Sequence, residues 1–448
     1  MGWPAKHKPL ATAIAVLFLA GYVVFFLTGA STIRHLVDNL VAGYFMAWGL
    51  YAMLSDVPRT ELGKRFILTT VSILSCFLIA EGTVLVGAAD YRAVFGTFHL
   101  RHALDVAGRR FDPELVWVRE PYYEFEADYQ GNLGRGLCIP PDPSKRIKIQ
   151  YDRNGFRNSR TMTEADIVVI GDSYVEAAMI PDEALSTSIL ARLHGKPVAN
   201  LGNSGYGPPQ ELGVLKRYGF SLNPSTVIWA FYEGNDVSNM KAYKKKAATL
   251  SGENPFWQNF WFRSLSRNLL AVYFRSAPQE CVPSHRIKPY QAVFTDDSNR
   301  ATPVFFAPPG DVDSFQAEDD DLRSVADYLA EAATLCRERN IRFIVAFVPD
   351  KYRVYADLSN VRFTTDEFRS WKLDDFPARL ERALAAVIPG LEYVDLTPAL
   401  RSESRRGVAT YLSDDTHWSV EGHRVVAETL HSAIKSPSLG GLVQKAQR

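Results

Sequence analysis

From residue 165 onward, short unbroken apolar runs alternate with stretches of helical periodicity. The runs are 166–170 (DIVVI), 197–201 (PVANL), 226–232 (TVIWAFY), 341–348 (IRFIVAFV) and 391–396 (LEYVDL), and each closes at or near a glycine or proline. Apolar residues throughout a strand, rather than at alternate positions, mean that both of its faces are covered. Between the runs lie helical stretches. The clearest is 321–339, where Leu322, Val325, Ala326, Leu329, Ala332 and Ala333 recur on one face. Strand and helix in alternation predict an α/β domain, with a central five-stranded parallel sheet in a three-layer α/β/α arrangement. In such sheets ligands sit beyond the carboxyl ends of the strands, and the candidate polar residues fall there.

The first 89 residues follow another pattern. Residues 10–28 (LATAIAVLFLAGYVVFFLT) are uncharged and close to the ~20 apolar residues that a membrane-crossing helix needs. Residues 39–54 form a second run, and residues 66–89 a third, interrupted by Glu81. Together they predict an N-terminal bundle of about three transmembrane helices. A signal peptide is the competing reading of the first run, but no small-residue cleavage site is evident and more apolar sequence follows. A carboxyl at position 81 is costly in lipid, so it is expected to face a neighbouring helix or an interface. Lys6 and Lys8 precede the first run, Arg34 lies between the first and second, and Arg59, Lys64 and Arg65 lie between the second and third. The positive-inside rule then puts the N-terminus in the cytoplasm and everything after residue 89 outside. Arg92, Arg101, Arg109 and Arg110, just beyond the third run, argue against that orientation without reversing it.

The expected organisation is therefore a transmembrane region (1–89), a lead-in segment (90–160) and a catalytic domain (161–448). The lead-in is rich in aromatics, with a short strand at 147–151 and a turn at Asn154-Gly155. An insert at 240–317 interrupts the catalytic domain and carries Phe256, Trp257, Phe260, Trp261, Phe262, Tyr273 and Phe274. It reads first as a subdomain with its own small core, because aromatic clusters usually pack. A substrate lid and a membrane-facing helix are the sharper alternatives.

Composition narrows the function by exclusion. The 448 residues carry 50 basic and 50 acidic side chains, with no long run of either sign, so nucleic acid is not an expected partner. None of the four cysteines (Cys76, Cys138, Cys281 and Cys336) lies in a CxxC or a Cys/His cluster, which argues against a structural zinc site. Cys138 and Cys281 are candidates for a disulfide in an oxidising compartment, and the sequence leaves their pairing open.

Four polar blocks follow the apolar runs. Gly171-Asp172-Ser173-Tyr174 follows the first and puts a serine on the turn into a helix; its plain alternative is an N-cap by Asp172 or Ser173. No Gly-x-Ser-x-Gly elbow occurs in the chain. Residues 200–207 (NLGNSGYG) follow the second run, with glycines that let backbone N–H groups approach a ligand. Gly234-Asn235-Asp236 follows the third, and the Asn235 amide can stabilise an oxyanion without acting as an acid. Asp414-Asp415-Thr416-His417-Trp418 follows the fifth and opens a helix. There a carboxylate can fix the tautomer of His417 and steady its imidazolium. Each block alone has an ordinary turn or cap as its alternative.

Taken in order, the four blocks resemble those of the SGNH hydrolases, also called GDSL esterases/lipases. That family implies a flavodoxin-like three-layer fold. It also implies Ser173 as nucleophile, His417 as base and Asp414 as orienting acid, with an oxyanion hole from Ser173, Gly205 and Asn235. It implies no metal or organic cofactor. Pro349-Asp350-Lys351, Val354-Tyr355 and residues 415–418 further resemble segments of alginate O-acetyltransferase-type SGNH proteins. That subgroup spaces its acid as Asp-x-His, which makes Asp415 the alternative acid; there the pair precedes the serine, whereas here it follows. Residues 151–158 (YDRNGFRN) are similar to a segment ahead of the serine in membrane-attached bacterial members.

The resemblance implies a serine esterase anchored in the bacterial inner membrane with its catalytic domain on the periplasmic side. The substrate would be an O-acyl ester of a cell-surface or exported glycan. One alternative is an O-acyltransferase (O-acetyltransferase) that modifies an exported polysaccharide, taking acyl groups from a membrane partner. A second is an inactive glycan-binding module on the same fold.

Overall fold

The computed structural model describes residues 33–89, 91, 108–136, 142–250, 260, 263–275, 290–307, 312–366, 368 and 371–436. The chain folds as two compact units, Met1–His102 with Thr249–Gln279, and Ala103–Ala248 with Glu280–Arg448.

The first unit is helical where it is described. Helix Arg59–Leu85 is 27 residues long, and by length and composition it can cross a membrane. Its apolar side chains, Ile67, Leu68, Leu78 and Ile79 among them, are exposed. The preceding helix, Ile33–Leu54, has a shorter apolar part, Val41–Leu54. The expected span at 10–28 lies outside the described residues. Of the about three transmembrane helices expected, one is long and apolar enough among the described residues. The two helices are joined by a 2.7 Å hydrogen bond between the hydroxyls of Tyr44 and Thr70. Glu81 does face a neighbouring helix. Its carboxylate accepts the backbone N–H groups of Leu265 (3.1 Å) and Ser266 (2.6 Å) and the Ser266 hydroxyl. It thereby satisfies first-turn donors of helix Leu265–Arg275 that have no partner within that helix.

The second unit is built on a five-stranded parallel sheet. Its strands are β1 (Ile167–Gly171), β2 (Val198–Gly202), β3 (Thr226–Tyr232), β4 (Arg342–Val348) and β5 (Glu392–Asp395). The spatial order is β2-β1-β3-β4-β5, all pairs parallel, with Val168 opposite both Ala199 and Val227. Side chains alternate strictly between two cores. Val168, Ile170, Val227, Trp229, Phe231, Val345 and Phe347 pack on one side with helices Asp319–Glu338 and Phe376–Val387. Ile167, Val169, Ile228, Ala230, Ile344, Ala346 and Val348 pack on the other with helices Ser186–His194 and Val420–Lys435. The three-layer arrangement follows from this alternation, because each strand has two apolar faces to cover. The order reverses direction between β1 and β3, so the loops after β1, β2 and β3 open around one crevice.

Two antiparallel hairpins precede the sheet in sequence: Arg109–Asp112 with Val116–Arg119, and Glu124–Tyr129 with Asp142–Gln150. A buried ion pair ties them to the loop after β1. Both side chains of Arg119 and Glu176 are fully buried, with Arg119 Nη2 2.6 Å from Glu176 Oε1. The same carboxylate accepts the Tyr151 hydroxyl (2.6 Å) and the Ser204 N–H (2.5 Å). Burial pushes the Glu176 carboxyl up, but the Arg119 charge and these hydrogen bonds outweigh it and hold the group below its ordinary value. Residues 151–158 complete the tie. Arg157 donates to the carbonyl of Ile180 (2.8 Å) and to that of Ala177, and Asn158 Oδ1 accepts the Asn200 N–H (2.9 Å). Replacing Arg119 by Ala strands a buried carboxylate, which destabilises a fold by about 3–5 kcal/mol. Urea unfolding should show a loss of that size in Arg119→Ala and a smaller loss in the Arg119→Met/Glu176→Gln double variant.

Candidate active site

Strand β1 ends at Gly171, and Asp172 caps the short helix Ser173–Glu176 by accepting the Tyr174 N–H at 2.9 Å. Asp172 is therefore the N-cap, and the Ser173 hydroxyl is left for other partners. Its Oγ lies 2.7 Å from His417 Nε2 and 3.1 Å from Asp172 Oδ2.

His417 comes from the loop that leads into helix Val420–Lys435. Its Nδ1 lies 2.5 Å from Asp415 Oδ1, which also accepts the His417 backbone N–H at 2.9 Å. The other oxygen, Asp415 Oδ2, accepts the Asn132 N–H at 2.7 Å. The Asp415 side chain is 1% exposed. Burial pushes its carboxyl up, yet the charge of His417 and these three donors prevail and hold it down to about 2.

The expectation that Asp414 orients the histidine is corrected. Asp414 turns the other way, accepting the Tyr129 hydroxyl (2.6 Å) and the Gly131 N–H (3.1 Å). The physical reason is the course of the loop. Lys351 Nζ is buried and donates to the carbonyls of Phe305 (2.8 Å) and Ser413 (3.2 Å), fixing the chain just before Asp414. The Tyr174 hydroxyl donates to Thr416 O at 2.6 Å, fixing it just after Asp415, and the Tyr174 ring lies 4.8 Å from the imidazole. Between these anchors, only the 415 carboxylate reaches Nδ1. Burial lowers the Lys351 ammonium to about 8, although Asp415, Asp350 and Asp414 pull it upward.

The second and third blocks supply neutral donors. Gly205 has φ +79°, a conformation that L side chains rarely adopt. Its neighbours' amides are consumed, Ser204 N–H by Glu176 and Tyr206 N–H by Asn203 O, whereas the Gly205 N–H has no acceptor among the described residues. Asn235 Oδ1 accepts from Asn239 Nδ2 at 3.1 Å, which orients the amide and leaves its own Nδ2 as donor. Ser173, Gly205, Asn235, Asp415 and His417 line one cavity of about 430 Å3, and Asp414 is not among its walls. Among the described residues, no group of three or more His, Cys, Asp or Glu could hold a metal ion.

Three parts of the cavity carried no signal in the sequence. Asn132 and Leu133 belong to the lead-in segment and form a wall beside His417. In the sequence Arg109 reads as one of the charges that flank a membrane span. Instead its guanidinium sits 3.5 Å from the centre of the Trp117 ring, donates to Ser204 O at 2.6 Å and lines the cavity. Cys138 and Cys281 lie outside the described residues.

This geometry can be set beside known proteins. Residues 310–448 match the family model for the SGNH hydrolase-like domain of the acetyltransferase AlgX. The matched stretch holds Asp415 and His417 and leaves Ser173 outside. No curated protein matches the chain. Among solved structures, a GDSL-like lipase from Bacteroides thetaiotaomicron is 14% identical, with 60% of this chain and 87% of that chain covered and a TM-score of 0.30. An acetylxylan esterase from Geobacillus stearothermophilus is 13% identical, with 62% and 97% covered and a TM-score of 0.31. With scores this low, the family rests on the sequence match. Residues 310–448 are thus similar to the SGNH hydrolase-like domain of AlgX, and that likeness supports an ester hydrolase or O-acyltransferase.

Proposed function

We propose that this protein forms an acyl-enzyme at Ser173 and passes the acyl group to a hydroxyl of an exported or cell-surface glycan. The observation that carries this reading is the chain of contacts Ser173 Oγ–His417 Nε2 (2.7 Å) and His417 Nδ1–Asp415 Oδ1 (2.5 Å). In the first half-reaction His417 Nε2 takes the Ser173 proton as Oγ attacks the ester carbonyl carbon. The carbonyl oxygen becomes an oxyanion held by the N–H groups of Ser173 and Gly205 and by the Asn235 amide. Collapse breaks the bond to the leaving alcohol, which takes the proton from Nε2. In the second half an acceptor hydroxyl gives its proton to Nε2, attacks the acyl carbon, and Oγ leaves and regains the proton. Asp415 holds the imidazole in the one tautomer that presents an unprotonated Nε2 to the hydroxyl.

The match to an acetyltransferase domain favours an acceptor hydroxyl over water. Hydrolysis is the second reading, and it follows from the same acyl-enzyme whenever water replaces the sugar. Helix Arg59–Leu85 supports attachment to a membrane, and Arg59, Lys64 and Arg65 in its first two turns support a catalytic unit on the extracytoplasmic side.

Release of nitrophenol from p-nitrophenyl acetate should disappear in Ser173→Ala. It should fall by roughly 10^4-fold in kcat in Asp415→Asn, where the wrong tautomer is favoured. Mass spectrometry of an added polysaccharide distinguishes transfer from hydrolysis. Equal activity of wild type and Ser173→Ala would end this reading.

The Asp415 carboxyl also predicts a pH dependence of stability. Its folded value lies below its unfolded one, so its contribution is complete above about 4 and is lost as pH falls through about 2. The contribution is about 2 kcal/mol. Thermal unfolding followed from pH 5 to pH 2 should fall less steeply in Asp415→Asn than in wild type.

A further inference from the structure

Asp414, released from the histidine, holds another element. Its Oδ1 accepts the Tyr129 hydroxyl, its Oδ2 the Gly131 N–H, and its backbone oxygen the Gly134 N–H at 2.8 Å. Between these contacts Asn132 bridges to Thr416. Its Nδ2 donates to Thr416 Oγ1 (2.7 Å), and its Oδ1 accepts the Thr416 N–H (3.0 Å). Both glycines are required by closeness. A Cβ on Gly131 would lie 2.1 Å from Asp414 O, and one on Gly134 would lie 2.6 Å from Asp414 Oδ2. The segment is pressed against Asp414 through Gly131 and Gly134, both buried, and the two residues between them, Asn132 and Leu133, line the cavity.

Position assigns this wall to one part of the substrate. Any alcohol that leaves or enters must exchange a proton with His417 Nε2, so it has to lie beside the imidazole. Asn132, Leu133 and Thr416 come with the histidine loop, whereas the donors for the carbonyl oxygen, Gly205 and Asn235, come from the loops after β2 and β3. We propose that residues 129–134 form a strap, clasped by Asp414, whose Asn132 and Leu133 select the alcohol part of the ester rather than its acyl part. The inference rests on the acyl-enzyme reading above and names which side of that site carries selectivity. Asp414 is a positioning residue that acts through the strap.

The test compares three esters. p-Nitrophenyl acetate and p-nitrophenyl butyrate vary the acyl group on one alcohol, and O-acetylated xylohexaose keeps the acetyl group on a large alcohol. In Leu133→Ala and Asp414→Asn, the kcat/KM ratio of acetylated sugar to p-nitrophenyl acetate should shift by about tenfold or more, mainly through KM. The acetate-to-butyrate ratio should stay within about twofold. A shift in the acyl ratio of the same size, or equal loss on all three esters, overturns the proposal. Hydrogen exchange reads the clasp without turnover: the Gly131, Asn132 and Gly134 amides should be protected in wild type and exchange faster in Asp414→Asn. Unchanged exchange would remove the clasp. A wild type inactive on every ester but showing this exchange difference would sink the proposed function and leave the clasp standing.

Discussion

A carboxylate buried to 1% exposure must be satisfied from within, and the loop that carries Asp415 is arranged around that requirement. Three N–H groups converge on it, from the imidazole, from the His417 backbone and from Asn132. The first sets the tautomer, the second holds the turn, and the third brings in a segment nearly three hundred residues away in sequence. An ionised Asp415 therefore requires the lead-in to be docked, and a docked lead-in completes the cavity wall beside His417. Charge, loop geometry and pocket shape are one constraint here.

Glu176 does on the serine side what Asp415 does on the histidine side. It is buried, paired with Arg119 and bonded to the Ser204 N–H, so it joins the turn after Ser173 to the Gly205 loop. The hairpins and residues 151–158 thus buttress both halves of the site. The lead-in packs into the unit that holds the sheet, because without it Asp415 would lose the Asn132 N–H and Glu176 would lose Arg119 and the Tyr151 hydroxyl.

The sheet was legible because buried parallel strands are apolar at every position. All five expected runs are strands, and β3 spans 226–232 as read. Ser173, Gly205 and Asn235 could be picked out because each lies just past a strand end, and His417 because it precedes the last helix beside two carboxylates; the structure brings the four to one cavity. The choice between Asp414 and Asp415 was not legible, since both spacings can reach a histidine, and the rotation of the loop is decided by Lys351 and Tyr174 from elsewhere in the fold. Asn132 and Arg109 were hidden for a similar reason. Their segment has no amphipathic period because its polar groups answer to distant partners, Asn132 to Asp415 and Arg109 to the Ser204 carbonyl. In the membrane region, the run at 66–89 corresponds to a helix long and apolar enough to span, whereas the run at 39–54 forms a shorter apolar helix.

Covalent capture tests the central claim most directly. The full-length protein would be treated with a fluorophosphonate ester, and the adduct located by intact-mass measurement and peptide mapping. The account predicts one adduct, on Ser173, that forms far more slowly in His417→Ala. An adduct on another residue, or labelling of Ser173 at the same rate without His417, would contradict it.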